Sequence, residues 1–293
     1  MSEKPRVILT IAGFDPSSGA GVTADIKTIA AHACYGVACI TALTVQSTAG
    51  VKRVAAVDPK VVTETLEELV TDIDIAAVHI GMLGSAQVAN AVADFLTVTT
   101  GGHSNGSKQA GTRARLPNIV LDPVLKSSSG QDLLDAGGIR VLIERLIPMV
   151  DVMTPNIDEA AALTGCDVSN LEGMKAAAAK LLEMGARAVV ITGGHLDKAV
   201  DLVSFRTPEG FEEQVLRAEK QRSDSTHGTG CAFATAMACH LAMERGLAEA
   251  ALLAKTYVST AISYGHPLGN GIGPVHHLYR MNQSRRAAGS GEE

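Results

Sequence analysis

"RVILTIAGFDPSSGAGVTADIKTIAAHACYG", Arg6–Gly36, decides the fold class. Arg6–Gly13 is an unbroken, largely β-branched apolar run ending in Gly, the pattern of a strand buried on both faces. A Gly/Ser loop follows. Val22, Ile26, Ile29 and Ala33 then recur at helical spacing. The unit is strand, loop, helix, and it repeats along the chain.

"VACITALTVQ" (Val37–Gln46) predicts a second buried strand and "VKRVAAV" (Val51–Val57) a short edge strand. Asp58 and Pro59 supply the N-cap and first position of a helix. Further strands are predicted at "AAVHIG" (Ala76–Gly81), "NIVLDPV" (Asn118–Val124), "VDVMTPN" (Val150–Asn156) and "RAVVITGG" (Arg187–Gly194). Helices are predicted at Ser85–Leu96, Gly130–Ile147, Ile157–Gly165 and Asn170–Gly185, and two Ala-rich ones at Gly228–Glu244 and Ala248–Tyr264. The alternation around Pro208-Glu209-Gly210 reads as a β-hairpin. Apolar strands alternating with helices predict an α/β fold, a mostly parallel sheet with helices on both sides. Its strands end in loops at Gly13–Gly21, Asp122-Pro123 and Thr154-Pro155-Asn156, where such folds carry their sites. No internal boundary divides residues 1–284. "TVTTGGHSNGSKQAGTRARL" (97–116) is expected to be a flexible surface insertion and "RRAAGSGEE" (285–293) a disordered tail.

A net charge of −6 gives no footprint for nucleic acid or an anionic membrane. The five cysteines form no C-x-x-C pair, and that odd, widely spaced set fits a reduced compartment. With no signal-peptide pattern and no apolar run long enough to span a bilayer, a cytoplasmic protein is expected.

"GAGVTA" (Gly19–Ala24) matches a dinucleotide fingerprint, but Gly19 lies well past the strand end. No acid between Asp25 and Asp58 could read a ribose either. No P-loop motif occurs. The nine histidines lack i, i+4 pairing and read as structural or solvated. "THGTGC" (Thr226–Cys231) is the stronger signal. Small residues at a helix start let consecutive amides meet an anion, helped by the helix dipole. Asp122 and Glu159, past predicted strand ends, supply the carboxylates that Mg²⁺ bound with a nucleotide takes. Together these point to phosphoryl transfer.

Read in order, "AGFDPSSGAGVTADIKT", "ITALTVQST", "HIGMLGS", "VLDPV", "TPNIDEAAALTG", "TGGHL", "HGTGCAFATA" and "NGIGPVHH" resemble the hydroxymethylpyrimidine and phosphomethylpyrimidine kinases of thiamine biosynthesis, a branch of the ribokinase-like superfamily. The resemblance runs from about Val7 to His277. It implies a three-layer α/β/α sandwich, usually a homodimer, that uses MgATP. The substrates it implies are 4-amino-5-hydroxymethyl-2-methylpyrimidine and then its monophosphate. By the same resemblance Gln46 reads the aminopyrimidine edge and Met82 packs on the ring. Gly13, Phe14, Asp25, Val45 and Val124 line the pocket. Asn156, Thr192, Gly194 and Lys255 serve ATP, and Asp122 and Glu159 the Mg²⁺. Gly228, Thr229, Gly230 and Cys231 form the anion hole, with Cys231 where related sugar kinases place an Asp base. Two positions depart from the family pattern: Thr192 stands where a Lys is common, leaving Lys126 or Lys108 to supply charge, and Phe14 stands where a Ser is usual.

At a helix start, Cys231 is expected to have a depressed pKa and to act as base. A pyridoxal kinase of the same branch, an NAD(P)-binding oxidoreductase and a non-catalytic ligand-binding protein stay open as alternatives.

Overall fold

A computed structural model describes residues 4–100, 115–194, 199–208, 210–219 and 223–281. Its strands are β1 (Val7–Phe14), β2 (Tyr35–Ser47), β3 (Gly50–Ala56), β4 (Ala77–Ile80), β5 (Ile119–Leu121), β6 (Val152–Met153), β7 (Ala188–Gly193), β8 (Ala199–Thr207) and β9 (Gly210–Ala218). They form one sheet in the order β3-β2-β1-β4-β5-β6-β7-β8-β9. Pairing is parallel from β2 through β7 and antiparallel where β3, β8 and β9 join.

The helices are α1 (Gly21–Ala31), α2 (Pro59–Asp72), α3 (Ala86–Thr100), α4 (Ala136–Val141), α5 (Ile157–Thr164), α6 (Leu171–Glu183), α7 (Thr229–Ala242) and α8 (Leu247–Ser263). Alternation along β1 divides them between two layers. Leu9 and Ile11 pack into one apolar cluster with Leu66 of α2, Val92 of α3, Leu163 of α5 and Leu181 of α6. Ile8 joins Ile29 of α1, Met237 of α7 and Tyr257 of α8 on the opposite face. The architecture is the expected three-layer α/β/α sandwich. Each fully buried Leu or Ile contributes about 1.5–3 kcal/mol. α7 is buried along nearly its whole length, and Ala232, Ala234, Ala236 and Ala238 let α1 and α8 approach it closely.

Some elements differ from expectation. β2 is not buried throughout: Ile40, Leu43 and Val45 stand 36%, 50% and 47% exposed. The strand runs on past Phe14, its last partner in β1, and beyond Leu43 it is paired only with β3. α4 starts at Ala136, not Gly130, because Asp135 caps it by accepting from the Gly138 amide, 2.6 Å. Residues before it fold back in a turn, with Ser127 N–H on Gln131 O and Leu133 N–H on Leu125 O. α4 then passes through a π turn at Leu142–Leu146. The ends of the expected 97–116 insertion belong to the fold. Thr97–Thr100 complete α3, while Arg115 pairs with Asp151 at 2.7 Å and Leu116 is buried. Residues 101–114 and the tail 285–293 lie outside the described residues. Among those described, no helix is long and apolar enough to cross a membrane.

Candidate active site

The C-terminal ends of the parallel strands form one edge, and the loops leaving it gather most of the expected residues. The loop after β1 is built on Asp15, which is 3% exposed. Its carboxylate accepts from Ser17 N–H (2.8 Å), Ser17 Oγ (2.7 Å), Ala20 N–H (3.0 Å) and His227 Nε2 (2.8 Å). Burial alone would raise the Asp15 carboxyl, but the bonds from His227 and Ser17 outweigh it and hold the group below the usual carboxylate range.

Most residues expected at the substrate lie over β1, β2 and β4. Met82, after β4, clusters with Ala42 and Leu133, and Val124, Val51 and Val54 pack against them. Gly13 belongs here for a steric reason: a Cβ at Gly13 would stand 2.8 Å from Met82 Sδ. Thr41 Oγ1 donates to Met82 O at 2.5 Å, fixing the turn after β4. Gln46 rises half-buried from the end of β2, with Oε1 3.1 Å from Thr44 Oγ1 and Nε2 3.4 Å from His227 Nε2. Thr44 Oγ1 also reaches Phe14 O at 3.0 Å. The Phe14 ring is half-buried and outside the three apolar clusters.

Two expected pocket residues are placed elsewhere. The Val45 side chain points to the exposed outer face of β2, opposite Gln46, because strand side chains alternate. Asp25 is fully buried beneath the edge, accepting from Thr10 Oγ1 (2.6 Å) and Thr235 Oγ1 (2.9 Å) and lying 3.3 Å from His79 Nδ1. It braces β1, β4 and α7 from below.

The expected anion hole is the start of α7. Gly228 is its N-cap, with φ +84° and no side-chain cap. A Cβ there would sit 1.8 Å from Gly19 O, so only glycine lets the α7 turn close on the β1 loop. Thr229 N–H reaches Thr226 O at 3.4 Å, while the first-turn amides of Gly230 and Cys231 have no carbonyl partner among the described residues. Asp122, at the end of β5, faces this turn: a Cβ on Gly230 would lie 3.6 Å from its Oδ2. Cys231 lies close enough to Asp122 to lower its carboxyl pKa. Here the expected depressed thiol pKa is overturned. Burial, then the nearby carboxylates of Asp122 and Asp25, push the Cys231 thiol well above its ordinary value, and the Gly21 amide does not offset them. The same burial raises Asp122 to about 6 against the opposing pull of His79. Glu159 rises to about 8, through burial first and repulsion from Asp122 second.

Asn156, Thr192 and Gly194, expected at the nucleotide, lie over β6 and β7. Asn156 and Glu159 make a reciprocal capping box on α5: Glu159 N–H donates to Asn156 Oδ1 (2.9 Å) and Asn156 N–H to Glu159 Oε2 (3.0 Å). The Asn156 side chain is thus a cap that aims Glu159. Thr192 donates its N–H to Pro155 O at 2.9 Å, bringing the end of β7 beside Asn156, and Gly194 is exposed with open space around it. Lys255 is not a free cation for ATP. It is 7% exposed and pairs with Asp201 at 2.7 Å, whose other oxygen accepts from Gly193 N–H. Lys126 pairs with Asp132 at 3.6 Å, and Lys108 lies outside the described residues.

Asp15 and His227 went unread in the sequence. Asp15 stands in the loop that carried the weak dinucleotide match, and His227 inside the anion motif itself. Their signal was adjacency to glycines that bring backbones together: a Cβ on Gly19 would meet the His227 ring at 2.3 Å.

A parallel α/β sheet with a helix start lacking a side-chain cap, two buried acids and an apolar cluster around Met82 at one edge fits a small-molecule kinase of the ribokinase-like class. Comparisons with known proteins narrow this. The phosphomethylpyrimidine kinase family model matches residues 15–276. The hydroxymethylpyrimidine/phosphomethylpyrimidine kinase of Streptomyces coelicolor is 40% identical over 95% of this chain and 97% of its own length. Among solved structures, the Clostridium difficile phosphomethylpyrimidine kinase superposes with a TM-score of 0.73 at 33% identity, covering 88% of this chain and 99% of that one. An ADP complex of Bacillus subtilis pyridoxal kinase gives 0.81 at 30% identity, covering 95% and 100%. The chain belongs to the phosphomethylpyrimidine kinase family.

Proposed function

We propose that this chain transfers the γ-phosphoryl of ATP to 4-amino-5-hydroxymethyl-2-methylpyrimidine, and then phosphorylates the monophosphate to the diphosphate. The observation that carries this is the start of α7, without a side-chain cap, facing Asp122, with the half-buried Gln46 and the apolar cluster around Met82 at the same edge. Family membership supports the substrate class.

The chemistry is mostly positioning and charge stabilisation. The substrate oxygen bonds to the γ-phosphorus as the bond to the bridging oxygen of ADP breaks. The amides of Thr229, Gly230 and Cys231 receive the oxygens of the transferring group. The hydroxyl proton passes to Cys231 sulfur as the thiol proton moves to the Asp122 carboxylate. In the second step the acceptor is already an anionic phosphate and needs no base. Two buried acids, the charge of one raising the pKa of the other, fit a divalent cation: Asp122 raises Glu159, and these are the residues that would hold Mg²⁺. The ion would neutralise phosphate charge there.

One observation favours a second reading, pyridoxal as acceptor: the pyridoxal kinase superposes better than the phosphomethylpyrimidine kinase, 0.81 against 0.73. An assay of ADP released with each acceptor separates the two. Turnover of the pyrimidine alcohol and its monophosphate is expected; turnover of pyridoxal alone would overturn the proposal. In the same assay Cys231→Ala is expected to slow the first phosphorylation by about 10²-fold and the second by much less. Equal losses would remove the base role.

The exposed row of Ile40, Leu43 and Val45 suits the expected homodimer in a cytoplasmic enzyme, by burial against a second copy. Leu43→Asp is then expected to sediment as a monomer; an unchanged sedimentation coefficient would place the interface elsewhere.

A further inference from the structure

The Asp15–His227 pair lies outside the phosphoryl-transfer chemistry, yet it is one of the most densely bonded polar groups at the site. His227 links three segments. Its Nε2 meets Asp15 Oδ2 at 2.8 Å and the Gln46 amide at 3.4 Å, and its Nδ1 meets Ser128 Oγ at 3.4 Å. The ring is 9% exposed and lies against Gly19.

Proton counting settles what His227 can do. The Asp15 carboxylate receives donors on both oxygens and is an acceptor only. His227 Nε2 therefore carries a hydrogen. A Gln46 NH₂ facing that atom would set N–H against N–H. The other end of the amide meets a matching conflict. Thr44 has one hydroxyl hydrogen, and Phe14 O takes it at 3.0 Å. Gln46 Oε1 beside Thr44 Oγ1 would then set oxygen against oxygen. Turning the amide over removes both conflicts: NH₂ donates to Thr44 Oγ1, and the carbonyl oxygen takes a share of the single Nε2 hydrogen, whose main acceptor is Asp15 Oδ2 at 2.8 Å. Amide oxygen and nitrogen are told apart by such networks rather than by shape.

We propose that His227, oriented by Asp15, is a positioning residue that locks the sense of the Gln46 amide and thereby makes the pocket select a 4-aminopyrimidine edge over its 4-oxo counterpart. With its inner lone pair and inner hydrogen engaged, Gln46 offers a ligand one acceptor on the His227 side and one donor on the Thr44 side. An aminopyrimidine edge presents an amine hydrogen and a ring-nitrogen lone pair, which match in one sense. The oxo analogue presents a carbonyl and a ring N–H, the same pair reversed. Binding it requires the amide to turn back and face His227 with N–H against N–H, which leaves polar groups unpaired. This inference rests on Gln46 contacting the pyrimidine.

The test is a competition between 4-amino-5-hydroxymethyl-2-methylpyrimidine and its 4-oxo analogue, read as the ratio of kcat/KM values. That ratio does not depend on the fraction of enzyme that is folded. The native enzyme is expected to favour the amino compound by about 10²-fold or more. His227→Phe and Asp15→Asn are each expected to reduce the ratio by roughly tenfold or more, and Gln46→Leu to flatten it. A flattened ratio in Gln46→Leu with unchanged ratios in both other variants overturns the role of His227. An unchanged ratio in Gln46→Leu overturns the Gln46 contact itself. If His227→Phe yields no active enzyme, the ¹⁵N spectrum of native His227 decides. Hydrogen on Nε2 is expected, and a bare Nε2 contradicts the proposal.

Discussion

Two helices begin on the same edge of the sheet and end their first turns differently. α5 is closed by its own side chains, through the reciprocal bonds of Asn156 and Glu159. α7 begins at Gly228 with no side-chain cap. Both start with orphan amides and a partial positive charge. In α5 these are used internally, and what the helix offers the site is a carboxylate held in place. In α7 those of Gly230 and Cys231 stay available to an outside anion. A cap stabilises a helix by about 1 kcal/mol. α7 forgoes it, and its burial between α1, α8 and the sheet makes up the difference.

The difference can be broken at its strongest point first. Gly228→Ala forces a side chain into a left-handed conformation and against Gly19 O. It is expected to lower kcat by about 10³-fold through loss of the aligned amides, measured by steady-state ADP release. Thermal stability should fall by about 1–2 kcal/mol or more. Full activity would show that the α7 turn does not hold the transferring group. Next, Glu159→Gln keeps an oxygen for the capping box while removing the charge. About 10- to 100-fold loss of kcat is expected, comparable to losing a positioned charge, with Tm nearly unchanged. A large drop in Tm would make Glu159 structural only. The smallest effect belongs to Asn156→Ala, about 1 kcal/mol in denaturant unfolding, with a modest loss of activity as Glu159 loses its aim.

The sequence made the architecture legible because strand and helix periods differ and because strands buried on both faces have a distinctive composition. The α7 start was readable, since its glycines have a local cause, whereas Asn156 was read for ATP although its Asn-x-x-Glu spacing forms a capping box. What was not legible is set by packing at a distance. Asp25 looked like a pocket acid but is consumed by Thr10, Thr235 and His79 from three other elements. Lys255 looked like an ATP-binding residue but is held by Asp201 from β8. Helix position alone argued for a low Cys231 pKa, whereas the carboxylates that raise it stand far away in the chain. The exposed row on β2 escaped notice because composition cannot show where a strand outruns its neighbour.

The central claim is that the α7 start, and not the α5 start, receives the phosphoryl group. Amide ¹H–¹⁵N shifts of Thr229–Cys231 and of Ile157–Glu159, followed as a non-hydrolysable ATP analogue and the pyrimidine alcohol are added, test it directly. Downfield movement of the α7 amides with the α5 first-turn amides nearly still is the predicted result. Movement at α5 with α7 unmoved would contradict the account.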